Sequence, residues 1–203
     1  MGRRRTRINR LKSLISYGNH KLPKSTAIYN MSPALDCEAD RLGLCEHSEK
    51  CYAKKAERFR PKVLPYRRRQ KRYWIKATAE DFIEDFRKAI KVKQHKITAL
   101  RFGEAGDFIT QECVDKAETI ATALKKDKIV TYCYTARSDL DFSECENLVV
   151  NTSSFLKATK YGTTNVYFPI KEFSGKHFKC PADCRVCNYC TKKHGKIIEA
   201  KFH

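Results

Sequence analysis

The sequence lacks any long apolar segment. No run of apolar residues approaches the ~18 that a membrane-spanning helix needs, so we expect no membrane partner. The basic start, MGRRRTRINR, is not followed by the apolar core of a signal peptide. We therefore expect the chain to stay in a reducing compartment, where cysteine side chains remain thiols and are free to bind metal.

Acidic residues are missing from two segments that carry nearly all of the excess positive charge. Residues 1–35 hold eight Lys or Arg side chains and no acid, and residues 54–76 hold eleven against Glu57 alone, within a net charge of +19. Charge concentrated in this way predicts a nucleic acid or another polyanion as partner. The alternative is a solvated tail and a solvated helix face that keep the protein soluble.

Arginines alternate with aromatic residues between Tyr66 and Trp74. Guanidinium groups suit phosphate, whereas aromatic rings suit either stacking on bases or packing in a core. We favour phosphate contact for the cations and core packing for the rings. The predicted nucleic-acid-binding residues are Arg67, Arg68, Arg69, Lys71 and Arg72.

Seven of the ten cysteines fall in two groups. The C-terminal group has the compact spacing C-x3-C-x2-C-x2-C, and the N-terminal group has the looser spacing C-x7-C-x5-C. Soft thiolate ligands suit zinc or an iron–sulfur cluster, and the absence of a long spacer between paired knuckles favours a cluster, in its simplest form 4Fe–4S. The sequence leaves open whether the groups form one site or two. The predicted ligands are Cys37, Cys45, Cys51, Cys180, Cys184, Cys187 and Cys190.

Strand-like and helix-like segments alternate after a basic start. Short β-branched or aromatic runs are separated by amphipathic segments, one of which begins at the capping-box pair Thr78 and Asp81. This alternation predicts an α/β fold, either a partial (β/α) barrel or a short, mostly parallel sheet with helices. We assign residues 1–26 to a basic flexible arm and residues 27–203 to a single α/β metal-binding domain, whose C-terminal segment, 177–194, is rich in cysteine.

Polar residues follow the predicted strands at the points where they end. Because the carboxyl ends of parallel strands meet at one edge, these residues are candidates for binding or catalysis. The predicted cofactor-binding residues are Gly103, Glu104, Asp107 and Arg137, and Glu104 is the candidate catalytic residue. Two alternatives stay open: ordinary turn and helix-start residues, or a metal-dependent nuclease site built from Glu104, Asp107 and Asp139.

Several motifs together resemble the bacteriophage gene product 88 family over about residues 20–195. The resemblance implies a phage protein that acts in the cytoplasm of a bacterial host, and it implies no established activity. The motifs are Cys45 to Ala53, VLPYRRRQ at 63–70, RFGEAGDF at 101–108, YTARSDLDF at 134–142 and CPADC at 180–184.

A more distant resemblance is to radical S-adenosylmethionine enzymes, which are partial (β/α) barrels. Those enzymes carry a three-cysteine loop after the first strand, the place that Cys37, Cys45 and Cys51 occupy here. Phe102-Gly103-Glu104 looks like the stretch that holds the amino group of S-adenosylmethionine. The resemblance implies that S-adenosylmethionine is a candidate cofactor and that the C-terminal cysteines are similar to an auxiliary cluster site.

These features lead to one leading function and one alternative. The leading function is iron–sulfur cluster binding, with redox or radical chemistry at the open face of the sheet; whether the protein is an enzyme stays open. The alternative is a zinc-stabilised nucleic-acid-binding protein without catalysis.

Overall fold

A computed structural model describes residues 11–153, 165–172 and 174–201. Single turns of 3-10 helix lie at Leu11–Ser13 and Tyr189–Thr191. The helices are α1 (Glu38–Arg41), α2 (Tyr52–Phe59), α3 (Val63–Lys76), α4 (Ala79–Lys91) and α5 (Gln111–Lys126). The strands are β1 (Ser16–Tyr17), β2 (Thr26–Tyr29), β3 (Ala99–Phe102), β4 (Val130–Thr135), β5 (Leu148–Ser153), β6 (Asn165–Ile170), β7 (Phe178–Lys179) and β8 (Ile197–Lys201).

The strands form one open sheet in the order β1-β2-β3-β4-β5-β6-β8-β7. Strand β1 runs antiparallel to β2, and the other neighbouring pairs run parallel. The predicted mostly parallel α/β sheet is confirmed. The barrel is not confirmed, because β1 and β7 are two edges that no pairing among the described strands joins. Residues 136–147, between β4 and β5, contain no helix, so this crossover lacks the helix that each strand connection supplies in a (β/α) barrel.

An aromatic core fixes α3 and α4 on one face of the sheet. The ring centroids of Tyr29 and Phe82 lie 5.0 Å apart in an edge-to-face contact, and those of Trp74 and Phe102 lie 5.4 Å apart. Thr78 caps α4 through the predicted reciprocal bonds with Asp81, so the helix starts where its apolar stripe begins. This packing holds β2 and β3, and the loops that follow them, against α3 and α4.

The predicted flexible arm is wrong for residues 11–26. Leu11, Leu14 and Ile15 are buried in the main core, and β1 pairs with β2. Burying three aliphatic side chains stabilises this segment by several kcal/mol, at about 1.5–3 kcal/mol for each side chain. The basic residues 1–10 lie outside the described residues, so only that part of the predicted arm keeps its assignment as a prediction.

The opposite face of the sheet carries no described helix longer than one turn. Ala99, Tyr132, Tyr134 and Val149 form a small cluster there. The C-terminal segment from β7 to Thr191 covers this face, and its 3-10 turn contacts β4 and β5. The cysteine-rich segment therefore takes the place that a second helical layer occupies in a doubly wound fold. No helix in the described parts of the chain is long and apolar enough to cross a membrane.

Candidate functional site

The four C-terminal cysteines line one cavity on the face of the sheet that the C-terminal segment covers. The cavity has a volume of ≈ 250 Å³, and its walls include Tyr132 and Tyr134 of β4. Cys180, Cys184, Cys187 and Cys190 all lie in the lining. The C-x3-C-x2-C-x2-C run therefore curls around a shared space.

Hydrogen bonds to the body of the domain hold the cysteine segment in place. The backbone N–H of Cys184 donates to the carbonyl of Lys21 at 3.0 Å, and that of Cys180 donates to the carbonyl of Glu199 at 2.8 Å. The buried amide of Asn151, in the middle of β5, donates to the carbonyl of Cys190 at 3.0 Å. This contact explains why a polar residue, Asn151, lies inside a parallel strand: its amide binds the covering C-terminal segment to the sheet.

Burial changes the ionisation of the cavity thiols. It raises the pKa of Cys190 to about 12, although the hydroxyl of Tyr134 donates a hydrogen bond to this sulfur and acts in the opposite direction. Burial also raises the pKa of Cys184, and the guanidinium of Arg101 opposes that shift. These two thiols are protonated at neutral pH in the metal-free chain, so any metal that binds them must displace protons.

The thiols surround the cavity without forming a ready ligand set. No three potential metal ligands converge on one point in the described residues. All ten cysteines are free thiols. Thiol sulfur is the donor type that soft metals prefer, and the four cavity thiols lie on one short segment, 180–190.

The N-terminal cysteine group occupies a different place. Cys37 directly precedes α1 and Cys51 directly precedes α2, in the loop that follows β2. Burial raises the pKa of Cys37 to about 12, and the nearby carboxylate of Asp107 adds to the shift. Burial raises the pKa of Cys45 as well. None of these three cysteines lines the cavity of the C-terminal group, so the structure presents two separate thiol groups.

Gly103 and Glu104 form the turn at the carboxyl end of β3. The N–H of Gly103 donates to the carbonyl of Tyr29 at 3.0 Å, and its φ of +69° is the left-handed conformation that glycine adopts most easily. One carboxylate oxygen of Glu104 accepts a hydrogen bond from the side-chain amide of Asn19 at 2.6 Å. The hydroxyl of Tyr52 donates to the Glu104 carbonyl, also at 2.6 Å. Glu104 is half-buried at the carboxyl edge of the sheet.

Asp107 has an internal role in place of the predicted contact with a cofactor. Its carboxylate accepts hydrogen bonds from the Thr135 hydroxyl and the Ala136 N–H, both at 2.7 Å, and from the Phe108 N–H at 2.8 Å. Burial raises its pKa to about 6, against the effect of these donors. With this side chain fully buried and its oxygens bonded, Asp107 connects the ends of β3 and β4.

Arg137 is also used internally. Its Nε and Nη2 bind the two oxygens of Asp139, each at 2.7 Å, and its Nη1 donates to the carbonyls of Phe108 and Ile109. With Asp107 and Asp139 both engaged in this way, the described structure does not assemble the alternative nuclease site with Glu104. Cofactor binding at the turn of Gly103 and Glu104 stays a prediction.

Arg67 does not face solvent, so its assignment to the nucleic-acid-binding set is wrong. It is buried between α2 and α3, where its Nη1 lies 2.8 Å from Glu57 Oε1. Pro61 separates the two helices, which lets α3 fold back so that a residue ten positions away pairs with Glu57. The only acid of this basic segment therefore neutralises an internal arginine and leaves the surface wholly basic.

The remaining basic side chains form an exposed surface on α2 and α3, which we call the basic surface. Arg69 and Arg72 are exposed, Lys71 is half-buried, and Arg68 pairs with Asp36 at 3.2 Å. Tyr66, Tyr73 and Trp74 pack against the main core, as we expected for the rings. The basic surface also includes three side chains that the sequence analysis did not single out, Arg58, Arg60 and Lys62, and they flank Phe59, which is 76% exposed.

Arg101 is the functional candidate that the sequence analysis missed. It lies in the middle of β3, and its guanidinium stacks over the ring of Tyr134 with 4.9 Å between the guanidinium carbon and the ring centroid. Its Nε atom is fully buried and has no hydrogen-bond partner among the described residues. The sequence signal that could have identified it is an arginine between two apolar residues, Leu100 and Phe102, within a predicted strand.

The comparison with known proteins shows the family and no activity. The sequence profile of the Gene product 88 family matches residues 3–172, so the chain belongs to this family of phage gene products. No curated protein and no solved structure matches the chain. The resemblance to radical S-adenosylmethionine enzymes is not shown. The family match ends before Cys180, so the cavity cysteines lie beyond the matched region.

Proposed function

We propose that the protein binds a metal centre, an iron–sulfur cluster in the first instance, at the cavity of the C-terminal cysteines. The observation that carries the proposal is the common cavity lined by Cys180, Cys184, Cys187 and Cys190. Four thiols on one short segment, held to the sheet by Asn151, match a ligand set for a soft metal.

The spacing of the four cysteines and the fold around their cavity favour an iron–sulfur cluster over zinc. Zinc sites usually join two knuckles across a longer loop, whereas these four thiols occupy one continuous turn-rich segment. The segment lies against aromatic side chains of β4, which would limit access of water to a bound cluster. We further propose the cytoplasm of the bacterial host as the compartment of the protein, and the phage family supports this proposal.

Removing one cavity thiol is expected to remove the metal. The Cys187→Ser variant, purified without oxygen, should lose at least about half of the iron and sulfide, because a weaker oxygen ligand replaces a thiolate. Inductively coupled plasma analysis with a sulfide assay measures both. Cys113→Ser is the matched control, since Cys113 lies on α5, outside both cysteine groups, and it should keep the wild-type content. Equal metal content in the two variants would contradict the proposed site.

A second candidate function is binding of nucleic acid or another polyanion at the basic surface. The specific observation in its favour is that the single acid of residues 54–76, Glu57, is buried with Arg67, so no acid of this segment faces solvent. Exposed guanidinium groups release counterions when they meet phosphate, which gives a sequence-independent and salt-dependent affinity.

The double variant Arg69→Ala/Arg72→Ala is expected to weaken binding to a short fluorescent DNA duplex. Each lost phosphate contact lowers the slope of log K against log salt by about 1, so the slope should fall by about 2. Fluorescence anisotropy at several salt concentrations measures it. Lys91→Ala/Lys126→Ala removes the same charge from the exposed ends of α4 and α5. If both double variants weaken binding equally, net charge alone explains the affinity and the basic surface is not the interface.

A further inference from the structure

Arg101 is half-buried, and its charge is only partly compensated: Tyr52, Tyr132 and the carboxylate of Glu104 act on it electrostatically without forming an ion pair. Arginine stays charged at every accessible pH, and a buried charge is costly unless an opposite charge or several hydrogen bonds compensate it. Its Nε has no described hydrogen-bond partner, and no ion pair joins Arg101 to a described carboxylate. The stacking on Tyr134 supplies only part of the compensation.

The groups around Arg101 connect it directly to the cysteine cavity. The Tyr134 ring beneath the guanidinium carries the hydroxyl that donates to the sulfur of Cys190. On another side, the guanidinium acts electrostatically on the thiol of Cys184. Arg101 does not itself line the cavity and lies next to its wall, on the same face of the sheet.

The described structure places no anion within ion-pair distance of Arg101. The guanidinium lies instead over the ring of Tyr134, a residue of the cavity wall. A centre ligated by four thiolates carries a net negative charge, whether its metal is zinc or an iron–sulfur cluster. Binding such a centre would therefore supply the counter-charge that Arg101 lacks.

We propose that Arg101 is the built-in counter-charge of the metal centre, a positioning residue that makes the cavity selective for a thiolate-ligated centre of net negative charge. This inference rests on the proposed metal-binding function. It predicts two effects of opposite sign for one residue: Arg101 costs stability in the metal-free protein and contributes affinity in the metal-bound protein. A residue that only packs in the fold would stabilise both forms.

The test uses Co²⁺ as a spectroscopic probe of thiolate ligation in the reduced, metal-free protein. Arg101→Met replaces the cation by an uncharged side chain of similar length, and Arg101→Lys keeps the charge. We expect Arg101→Met to bind Co²⁺ at least about tenfold more weakly, judged by the sulfur-to-metal charge-transfer absorption, because a favourable charge interaction is lost. Its thermal midpoint without metal should equal or exceed that of the wild type. Arg101→Lys should bind with intermediate affinity.

A control variant and two distinct negative results distinguish a failure of the Arg101 role from a failure of the proposed metal site. Arg87→Met removes an exposed cation that pairs with Asp127 on the helical side, and it should leave Co²⁺ affinity unchanged. Arg101→Met with wild-type Co²⁺ affinity, or with a lower thermal midpoint in the metal-free form, would overturn the role of Arg101 while the metal site stands. A wild-type protein that shows no charge-transfer absorption with Co²⁺ would overturn both.

Discussion

The Glu57→Gln variant is expected to unfold about 3–5 kcal/mol more easily than the wild type, because it leaves the guanidinium of Arg67 buried without its counter-charge. Glu57 is 4% exposed and Arg67 is 6% exposed, so water cannot replace the lost carboxylate. The loss is large against the 5–15 kcal/mol typical of a whole domain, at about one third of it. Urea denaturation followed by circular dichroism measures the change.

The same carboxylate also fixes the start of the N-terminal cysteine loop. Its two oxygens accept the N–H groups of Ala34 and Leu35, both at 2.8 Å. Those residues lie three and two positions before Cys37, so we expect the loop to become more susceptible to proteolysis in Glu57→Gln than in the wild type. Limited proteolysis under native conditions reports this loosening independently of global stability.

Two further variants test whether the unpaired charge of Arg67 causes the loss of stability in Glu57→Gln. The double variant Glu57→Leu/Arg67→Met should recover part of the lost stability, since no buried charge remains, but the N–H groups of Ala34 and Leu35 still lack an acceptor. Glu84→Gln breaks the exposed pair with Lys88 and should cost less than about 1 kcal/mol. A Glu57→Gln variant no less stable than Glu84→Gln would show that the internal ion pair is not formed as described.

The Gly106→Ala variant is expected to lose about 2–5 kcal/mol of stability, from the sum of backbone strain and overpacking. A Cβ atom at this position would lie 2.2 Å from both the carbonyl oxygen and the hydroxyl oxygen of Ser32. The carbonyl oxygen of Ser32 belongs to the main chain and cannot rotate away from the added Cβ. The loop after β3, which carries Glu104 and Asp107, must therefore shift. Chemical denaturation measures the loss.

Gly43 provides the matched control for this variant. Gly43 and Gly106 both have φ of +68°, but a Cβ at Gly43 meets nothing within 4 Å. Gly43→Ala should therefore lose only the free energy of holding alanine at a positive φ, about 1 kcal/mol. If the two alanine variants have the same free energy of unfolding, the close approach of Gly106 to Ser32 does not exist in solution.

The regular elements could be predicted from the sequence because local signals determine them. The reciprocal cap of Thr78 and Asp81, followed by Phe82 and Phe86 on one face, identifies α4 without tertiary information. The parallel order of β3, β4 and β5 follows from their alternation with helices and loops. The order of residues 11–26 does not follow from their charge, although the i, i+3, i+4 spacing of Leu11, Leu14 and Ile15 is the local signal of a buried face.

The roles of individual polar residues could not be predicted, since they depend on contacts between distant segments. Nothing local distinguishes Arg67, which is buried with Glu57, from Arg69, which is exposed on the same helix. Asp107 looks like a site residue in sequence, but its bonds to Thr135 and Ala136 exist only once β3 and β4 are adjacent. The isolation of Arg101 beside the cavity likewise appears only when the C-terminal segment covers the sheet.

The most direct test of the central claim is the iron and acid-labile sulfide content of the wild-type protein purified without oxygen. We predict a brown protein with broad absorption near ~400 nm, and iron and sulfide in equal amounts, as a cubane cluster requires. The four cavity thiols can hold one such cluster, so the iron content should approach four per chain when the C-terminal site is filled. A colourless protein that contains neither iron nor sulfide, with or without stoichiometric zinc, would contradict the iron–sulfur centre.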